Sequence, residues 1–355
     1  MGLMRVQWMR ARLIRVWSIP AFLAVLLTGC AGNKSILDPA GRAAADVALV
    51  WWGMAGFFSL VLIMVVALGL YSFRRRSRPK LSALEEKRLA RRFILGGGVL
   101  LPVATIGVLL IFGVPAGQRM LPVPLGTPPD VIQVTGHQWW WEVRYPGAEG
   151  GEVVTANQLV MPAGEPVDFH VTGADVIHSF WIPRLGGKID MIPGHINRIR
   201  LEADSPGVFG AQCAEFCGTQ HAHMQLYVEA MERSDYEAWL AERQAAKLET
   251  LAVQSDAHAP AREVFVEYCA RCHRVAGLTV PDSQWELAPI QGPDLSDIGA
   301  RPTLGAGVLA MEEGAIGYWL EHHQQLKPGN RMPAHLALEP PALQAIGDWL
   351  ETLSP

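Results

Sequence analysis

Cys213, Cys217, His221 and Met224 fall in one short segment, Cys213-Ala-Glu-Phe-Cys217-Gly-Thr-Gln-His221-Ala-His-Met224. Thiolate, imidazole and thioether together form the soft ligand set that selects copper over magnesium, calcium or manganese. Two cysteines four apart on a tight loop can both reach one centre, and both can bridge two ions. A small disulfide loop would use the two thiols but leave the imidazole and thioether to chance. Downstream lies a second reactive motif, Cys269-Ala-Arg-Cys272-His273. C-x-x-C-H attaches haem c through two thioethers and offers its histidine as an axial ligand.

The chain has 355 residues and five cysteines, and each cysteine has a separate task. Cys30, the fifth, ends an N-terminal apolar run, so no pair is left over for a structural disulfide. A formal charge of −4 argues against nucleic acid as a partner. Arg5, Arg10, Arg12 and Arg15 precede the apolar stretch 16–27, which is short for a membrane span and reads as a secretory signal over residues 1–29. Its end, Leu27-Thr-Gly-Cys30, resembles the bacterial lipobox, which implies lipid attached at Cys30. Two uncharged runs, 47–73 and 93–118, have the length of transmembrane helices, and the second tolerates Gly96-Gly-Gly98 and Pro102. The Arg/Lys-rich loop between them belongs on the cytoplasmic side, which puts both chain ends outside the cytoplasm.

These elements have to bring the ligands together. From about Asp130 to Val228 the pattern becomes short β-type runs divided by Gly and Pro: 131–135, 153–155, 166–172, 197–201 and 224–228. Several such strands imply a sandwich or Greek-key barrel. A barrel can gather loops at one end, so His178, at the end of a strand in Asp175-Val-Ile-His-Ser-Phe-Trp-Ile-Pro183, can join the cysteines. A helix-like stretch from Ser234 to Gln244 then leads into a polar, Ala-rich linker.

His178-Ser-Phe-Trp-Ile-Pro, Lys188-Ile-Asp190-Met-Ile-Pro-Gly194, the Cys213–Met224 segment and Gly136-His-Gln-Trp139-Trp140-Trp141 together resemble subunit II of haem–copper cytochrome c oxidases. The resemblance implies a binuclear copper centre, CuA. Cys213 and Cys217 would bridge both ions, and His178 and His221 would each bind one. Met224 and the Glu215 carbonyl would be weak ligands, and the Glu215 side chain would face a magnesium site shared with subunit I. An exposed tryptophan, best matched by Trp139, would admit electrons. His223 ranks below His221 as a ligand, and His137, His170 and His195 are expected near the site or as polar residues. The C-terminal region resembles class I cytochromes c: Gly292-Pro-Asp-Leu295, then Pro328-Gly-Asn-Arg-Met332-Pro333, then a last helix near 341–353. That order makes Cys269, Cys272, His273 and Met332 the haem-binding residues, with Met311 a poor second, and leaves His322, His323 and His335 solvated. Many family members carry a glutamate seven residues before the second-helix proline, at the mouth of a proton channel in subunit I; Leu95 stands there.

The expected architecture is a multidomain membrane protein with a transmembrane hairpin, a cupredoxin-like Greek-key β-barrel and an all-α class I cytochrome c domain. The boundaries expected are 1–29 signal, 30–120 hairpin, 121–235 copper domain, 236–260 linker and 261–355 haem domain. The fusion resembles the caa(3)-type oxidases. It implies electron relay from a donor such as cytochrome c, through haem c and CuA, to the oxygen-reducing subunit I of a proton-pumping complex. Subunits I and III and membrane lipid would be the partners, and the metal domains would lie on the periplasmic face of a bacterial inner membrane. A free-standing membrane-tethered carrier is the alternative. A quinol oxidase subunit II is disfavoured because those chains lack the copper ligands, and nothing here could build the catalytic cluster of a nitrous-oxide reductase.

Overall fold

The computed structural model describes residues 31–74, 81–148, 151–252, 256–278, 291–334 and 337–354. The signal segment, Cys30 and His335 lie outside the described residues.

Helix α1 spans Arg42–Arg74. Helix α2, Ala83–Leu95, begins at a capping box in which Ser82 and Glu85 satisfy each other's backbone N–H groups. It continues through one π-helical turn at Gly96–Leu100 into α3, Leu101–Gln118. Both helical rods are long and apolar enough to cross a membrane, and their apolar windows are not buried by the rest of the chain. Surface of that kind is stable only in lipid or against another membrane helix. An Arg119–Asp46 ion pair joins the rods where they leave the hairpin.

Ten strands follow: β1 Asp130–His137, β2 Trp140–Ala148, β3 Gly151–Ala156, β4 Gln158–Pro162, β5 Pro166–Gly173, β6 His178–Trp181, β7 Lys188–Met191, β8 Asn197–Glu202, β9 Gly207–Cys213 and β10 Gln225–Met231. They form two five-stranded sheets, β3-β2-β1-β5-β8 and β4-β10-β9-β6-β7. The pairs β1–β5 and β4–β10 are parallel and the others antiparallel. Burial alternates along β10 and through parts of β1 and β5, whereas β8 buries Ile199, Arg200 and Leu201 in succession. All five residues of β4 are buried, so period-two reading passes over it. The sheets close on Trp141, Phe169 and Phe180, whose rings meet at 5.2 and 6.2 Å.

The hairpin is tied to the sandwich at its exit. Arg200, buried on β8, forms a two-pronged ion pair with Asp168 at 2.6 and 2.8 Å and donates to the Val123 carbonyl at 2.7 Å. Residues 33–40, ahead of the first span, lie along the sandwich through Gly210 N–H to Asn33 O (3.0 Å) and Asp204 N–H to Ala40 O (2.8 Å).

The 236–260 linker needs correction. Helix α4 runs from Arg233 to Ala252, and Tyr236 and Trp239 are part of the sandwich core, packed on Tyr145. Their spacing of three puts both on one helix face. Farther along α4, Arg243 covers the Trp239 ring and reaches Asp297 of the haem domain at 3.5 Å. Over 233–252 the segment is a helical strut.

The haem domain holds α5 Ala259–Tyr268, α6 Ala315–Leu326 and α7 Pro340–Glu351. It departs from an all-α domain by a two-residue ribbon, β11 Thr303–Leu304 with β12 Leu309–Ala310. Helices α6 and α7 cross at Gly317 and Gly347, where a Cβ on Gly347 would come within 2.6 Å of the Gly317 nitrogen. Phe265 and Trp349 stack edge-to-face at 5.2 Å beneath the helices.

Candidate metal centres

The register of β6 against β9 builds the first centre. Phe180 pairs with Cys213, and Ala214 N–H donates to Ser179 O at 3.0 Å. His178 and Phe180 share a strand face, so Phe180 anchored in the core aims His178 inward, where it is fully buried. The loop after Cys213 returns because Cys213 N–H donates to Met224 O at 3.1 Å, closing its two ends together. Within it Gly218 sits at φ +116°, and a Cβ there would meet Trp139 at 2.9 Å. Only glycine fits that conformation and space.

The expected ligands converge. The Cys213 and Cys217 sulfurs are 3.8 Å apart. His178 Nδ1 lies 3.9 Å from Cys213 Sγ, and His221 Nδ1 lies 3.6 Å from Cys217 Sγ. Met224 Sδ is 3.9 Å from Cys217 Sγ, and the Glu215 carbonyl is 3.2 Å from Cys213 Sγ. His178, Cys213 and Cys217 form a buried group able to hold a metal ion. His223 is exposed, and its Nδ1 is paired with Gln220 Oε1 at 2.7 Å, away from the sulfurs. Hydrogen bonding with Cys217 pulls the Cys213 thiol far below the ordinary range and pushes Cys217 up.

Two neighbours orient the set. Asp175 Oδ1 takes His178 Nε2 at 2.9 Å, which leaves Nδ1 for the centre. Burial opposes charge on His178, but its bonds to Asp175 and Cys213 hold its pKa above the ordinary imidazole value. Gln138 Nε2 and Trp139 Nε1 both donate to the Cys217 carbonyl, at 2.8 and 3.0 Å. Neither Asp175 nor Gln138 belongs to a ligand motif in the sequence; a carboxylate three residues before a ligand histidine is the available signal. His137 is buried and stacks on Trp140 at 4.1 Å, and burial drives its pKa down to about 4.

The second centre is a cavity of about 590 Å³ lined by Cys269, Cys272, His273, Met332 and apolar side chains such as Leu320 and Ile346. That volume and lining suit a large flat apolar cofactor. His273 Nδ1 donates to Pro293 O at 2.8 Å, which fixes the tautomer whose lone pair is on Nε2, the atom a metal would take. Gly292 backs the ring: a Cβ there would lie 2.5 Å from His273 Cε1. Met332 is held by Gln324 Nε2 to its carbonyl (2.6 Å) and by its own N–H to Asn330 Oδ1 (3.0 Å). Met311 packs on the haem-domain core and does not line the cavity. His323, expected in solvent, is 2 % exposed, at the end of α6 with Asn330 Nδ2 against it at 3.2 Å. It occupies the inward face of an amphipathic helix, which a lone histidine in a sequence does not reveal.

Trp139 departs most from expectation. It is 9 % exposed, because the haem domain covers it, and together with Gln138 and Trp140 it lines the haem cavity. The expected exposed electron entry point is instead an internal contact between the two centres.

Residues 149–231 match the family model "Cytochrome C oxidase subunit II, periplasmic domain", and residues 259–354 match the model "Cytochrome c". The cytochrome c oxidase subunit 2 of Alkalihalophilus pseudofirmus is 35% identical over 352 residues, 94% of this chain and 95% of that one. The quinol oxidase subunit 2 of Bacillus cereus is 30% identical over 249 residues, 69% of this chain and 83% of its own. The crystal structure of the periplasmic domain of subunit II of cytochrome oxidase from Bradyrhizobium japonicum aligns with a TM-score of 0.31 and 34% identity, covering 33% of this chain and 94% of that one. With a sulfur–imidazole centre in the sandwich, a C-x-x-C-H cavity beside it and a relative matching along nearly its whole length, the chain belongs to the cytochrome c oxidase subunit 2 family, in the form that carries a C-terminal cytochrome c domain.

Proposed function

We propose that the haem domain accepts electrons and passes them through a CuA centre to the oxygen-reducing subunit I of a proton-pumping terminal oxidase. The observation that carries this reading is Trp139, which lines the haem cavity and hydrogen-bonds the Cys217 carbonyl at 3.0 Å. One side chain thus touches both proposed redox sites.

In this reading Cys213, Cys217, His178 and His221 would hold the copper, with Met224 and the Glu215 carbonyl as weaker ligands. Cys269 and Cys272 would attach the haem, and His273 and Met332 would ligate its iron. The copper pair and the haem supply reversible one-electron chemistry when bound. The protein's part is to hold still. Asp175 fixes the His178 tautomer, Pro293 fixes that of His273, and the Cys213–Met224 backbone bond closes the copper loop, so little reorganisation opposes a change of charge. The exposed Glu215 carboxylate suits a magnesium site shared with subunit I. The two spans place the chain in a membrane; we assign the metal domains to the periplasmic side of the bacterial inner membrane, with lipid on Cys30, subunits I and III as neighbours and a cytochrome c-like donor.

The test is purification from native membranes with metal and haem analysis. About two copper ions and one covalent haem per chain are expected, with polytopic subunits copurifying. A single copper with a blue-copper spectrum would sink the CuA assignment, and a chain that purifies alone yet transfers electrons would favour the free-standing carrier.

A further inference from the structure

Lys327 follows the last residue of α6 and is 3 % exposed, an unusual place for a lysine. Its ammonium donates to three backbone carbonyls: Gly305 at 2.7 Å, Trp139 at 2.8 Å and His223 at 3.0 Å. Gly305 belongs to the haem domain, whereas Trp139 and His223 belong to the copper domain. All three hydrogens of the ammonium are used, so the buried charge is solvated entirely by backbone dipoles. Burial presses its pKa down to about 7. The three neighbours are acceptors only, and a neutral amine, with two hydrogens, would leave one of them unmet.

The surrounding contacts lie on the same seam. Gln220 Nε2 donates to Pro328 O at 2.6 Å, and Gln225 N–H donates to Ala306 O at 3.1 Å. Arg331, next to Met332, reaches the Asp175 carboxylate at 3.5 Å, and that carboxylate's other oxygen holds His178. Asn330 Nδ2 donates to Lys327 O at 2.8 Å and fixes the turn that presents the lysine. The Arg331 pair is half-exposed and worth little by itself. The Lys327 contacts are charge-assisted and buried, which makes them the strong element of the seam.

Resting on the relay function proposed above, we infer that Lys327 is a positioning residue that locks the haem domain onto the copper domain, so that the two redox sites keep one fixed separation and the haem domain does not swing on its strut during turnover. The lock also covers Trp139, so a soluble donor meets the haem domain and has no direct approach to the copper centre.

The test is Lys327→Met in the full-length chain within the assembled complex, read by amide hydrogen exchange. The Gln225 amide, bonded across the seam to Ala306, reports docking. The Tyr318 amide, bonded to Gly314 O at 3.0 Å, reports the haem domain itself. Each buried charge-assisted hydrogen bond lost shifts such an equilibrium by about tenfold. Protection at Gln225 should therefore fall at least about tenfold in Lys327→Met while Tyr318 stays unchanged and the haem and copper spectra are retained. Lys327→Gln, with two donors, should fall between wild type and Lys327→Met, and it serves if Lys327→Met does not assemble. Equal losses at Gln225 and Tyr318 would mean that Lys327 only supports its own domain, and no loss at Gln225 would mean that it does not hold the seam; either result overturns the proposal. Wild-type protein lacking copper or haem would instead refute the relay function, and the exchange comparison would still stand as a test of the lock.

Discussion

Gly292→Ala tests whether the haem histidine is held as described. The added Cβ would lie 2.5 Å from His273 Cε1, 2.8 Å from Nδ1 and 2.9 Å from Nε2. Restoring an ordinary contact of about 3.5 Å requires the ring to retreat by roughly 1 Å. Retreat stretches the 2.8 Å bond from His273 Nδ1 to Pro293 O beyond useful geometry. Overpacking costs about 1–3 kcal/mol, and the lost hydrogen bond about 1 kcal/mol. Stiffening the unfolded chain offsets about 0.4–1 kcal/mol, so the net loss is about 1–4 kcal/mol. For a domain of this size the smaller figure lowers the melting midpoint by at least about 4 °C. The assay is thermal unfolding of the full chain followed at the haem absorption band, with a redox titration of the haem in parallel. The midpoint should fall, and the haem potential should shift because the histidine proposed as its ligand has moved. An unchanged midpoint together with an unchanged potential would refute the claim that Gly292 and Pro293 set the ring.

Met224→Leu conserves volume at a fully buried site, so copper should stay bound while its potential shifts; Cys217→Ser should abolish copper binding, and equal copper content in both variants would contradict the ligand assignment. Met332→Leu should remove the spectral signature of haem sulfur ligation and Met311→Leu should leave it, because only Met332 lines the cavity; the reverse pattern would exchange their roles. Arg200→Met leaves Asp168 buried without its partner and should cost about 3–5 kcal/mol in unfolding of the copper domain, with Arg200→Met/Asp168→Leu recovering most of it; a cost below about 1 kcal/mol would show that the pair does not anchor the hairpin exit. From Asp256 onward thirteen carboxylates face six Lys and Arg, a balance of −7, so turnover with a basic donor should fall as salt shortens the field to about 10 Å near 0.1 M; a rate that holds or rises with salt would reject steering.

Ligand chemistry and local spacing were legible in the sequence. Cys213, Cys217, His221 and Met224 lie within one loop, so their convergence needs only a closed turn, and Cys269-Ala-Arg-Cys272-His273 carries its chemistry in consecutive residues. The two spans show equally well, because a run without charge has few uses outside lipid. The alternating strands were visible where one face meets water, and β6 as the strand carrying His178; β4, buried on every side, and the short β7 were not.

What only the tertiary structure decided is whatever depends on contacts between distant segments. Residue 178 reaches residue 213 through the register of β6 on β9, which no local pattern encodes. Much of the stretch expected to be a linker is a helix packed on both domains, because Tyr236 and Trp239 find a core to enter and Arg243 finds Asp297. Trp139 reads as a surface residue until the haem domain is folded over it, and Lys327 reads as one more solvated cation until three carbonyls from two domains surround it. The physical reason is the same in each case. Composition and periodicity report whether a residue favours water or its own chain neighbours, whereas these contacts depend on a partner surface encoded elsewhere in the chain, 104 residues away for Lys327 and the His223 carbonyl.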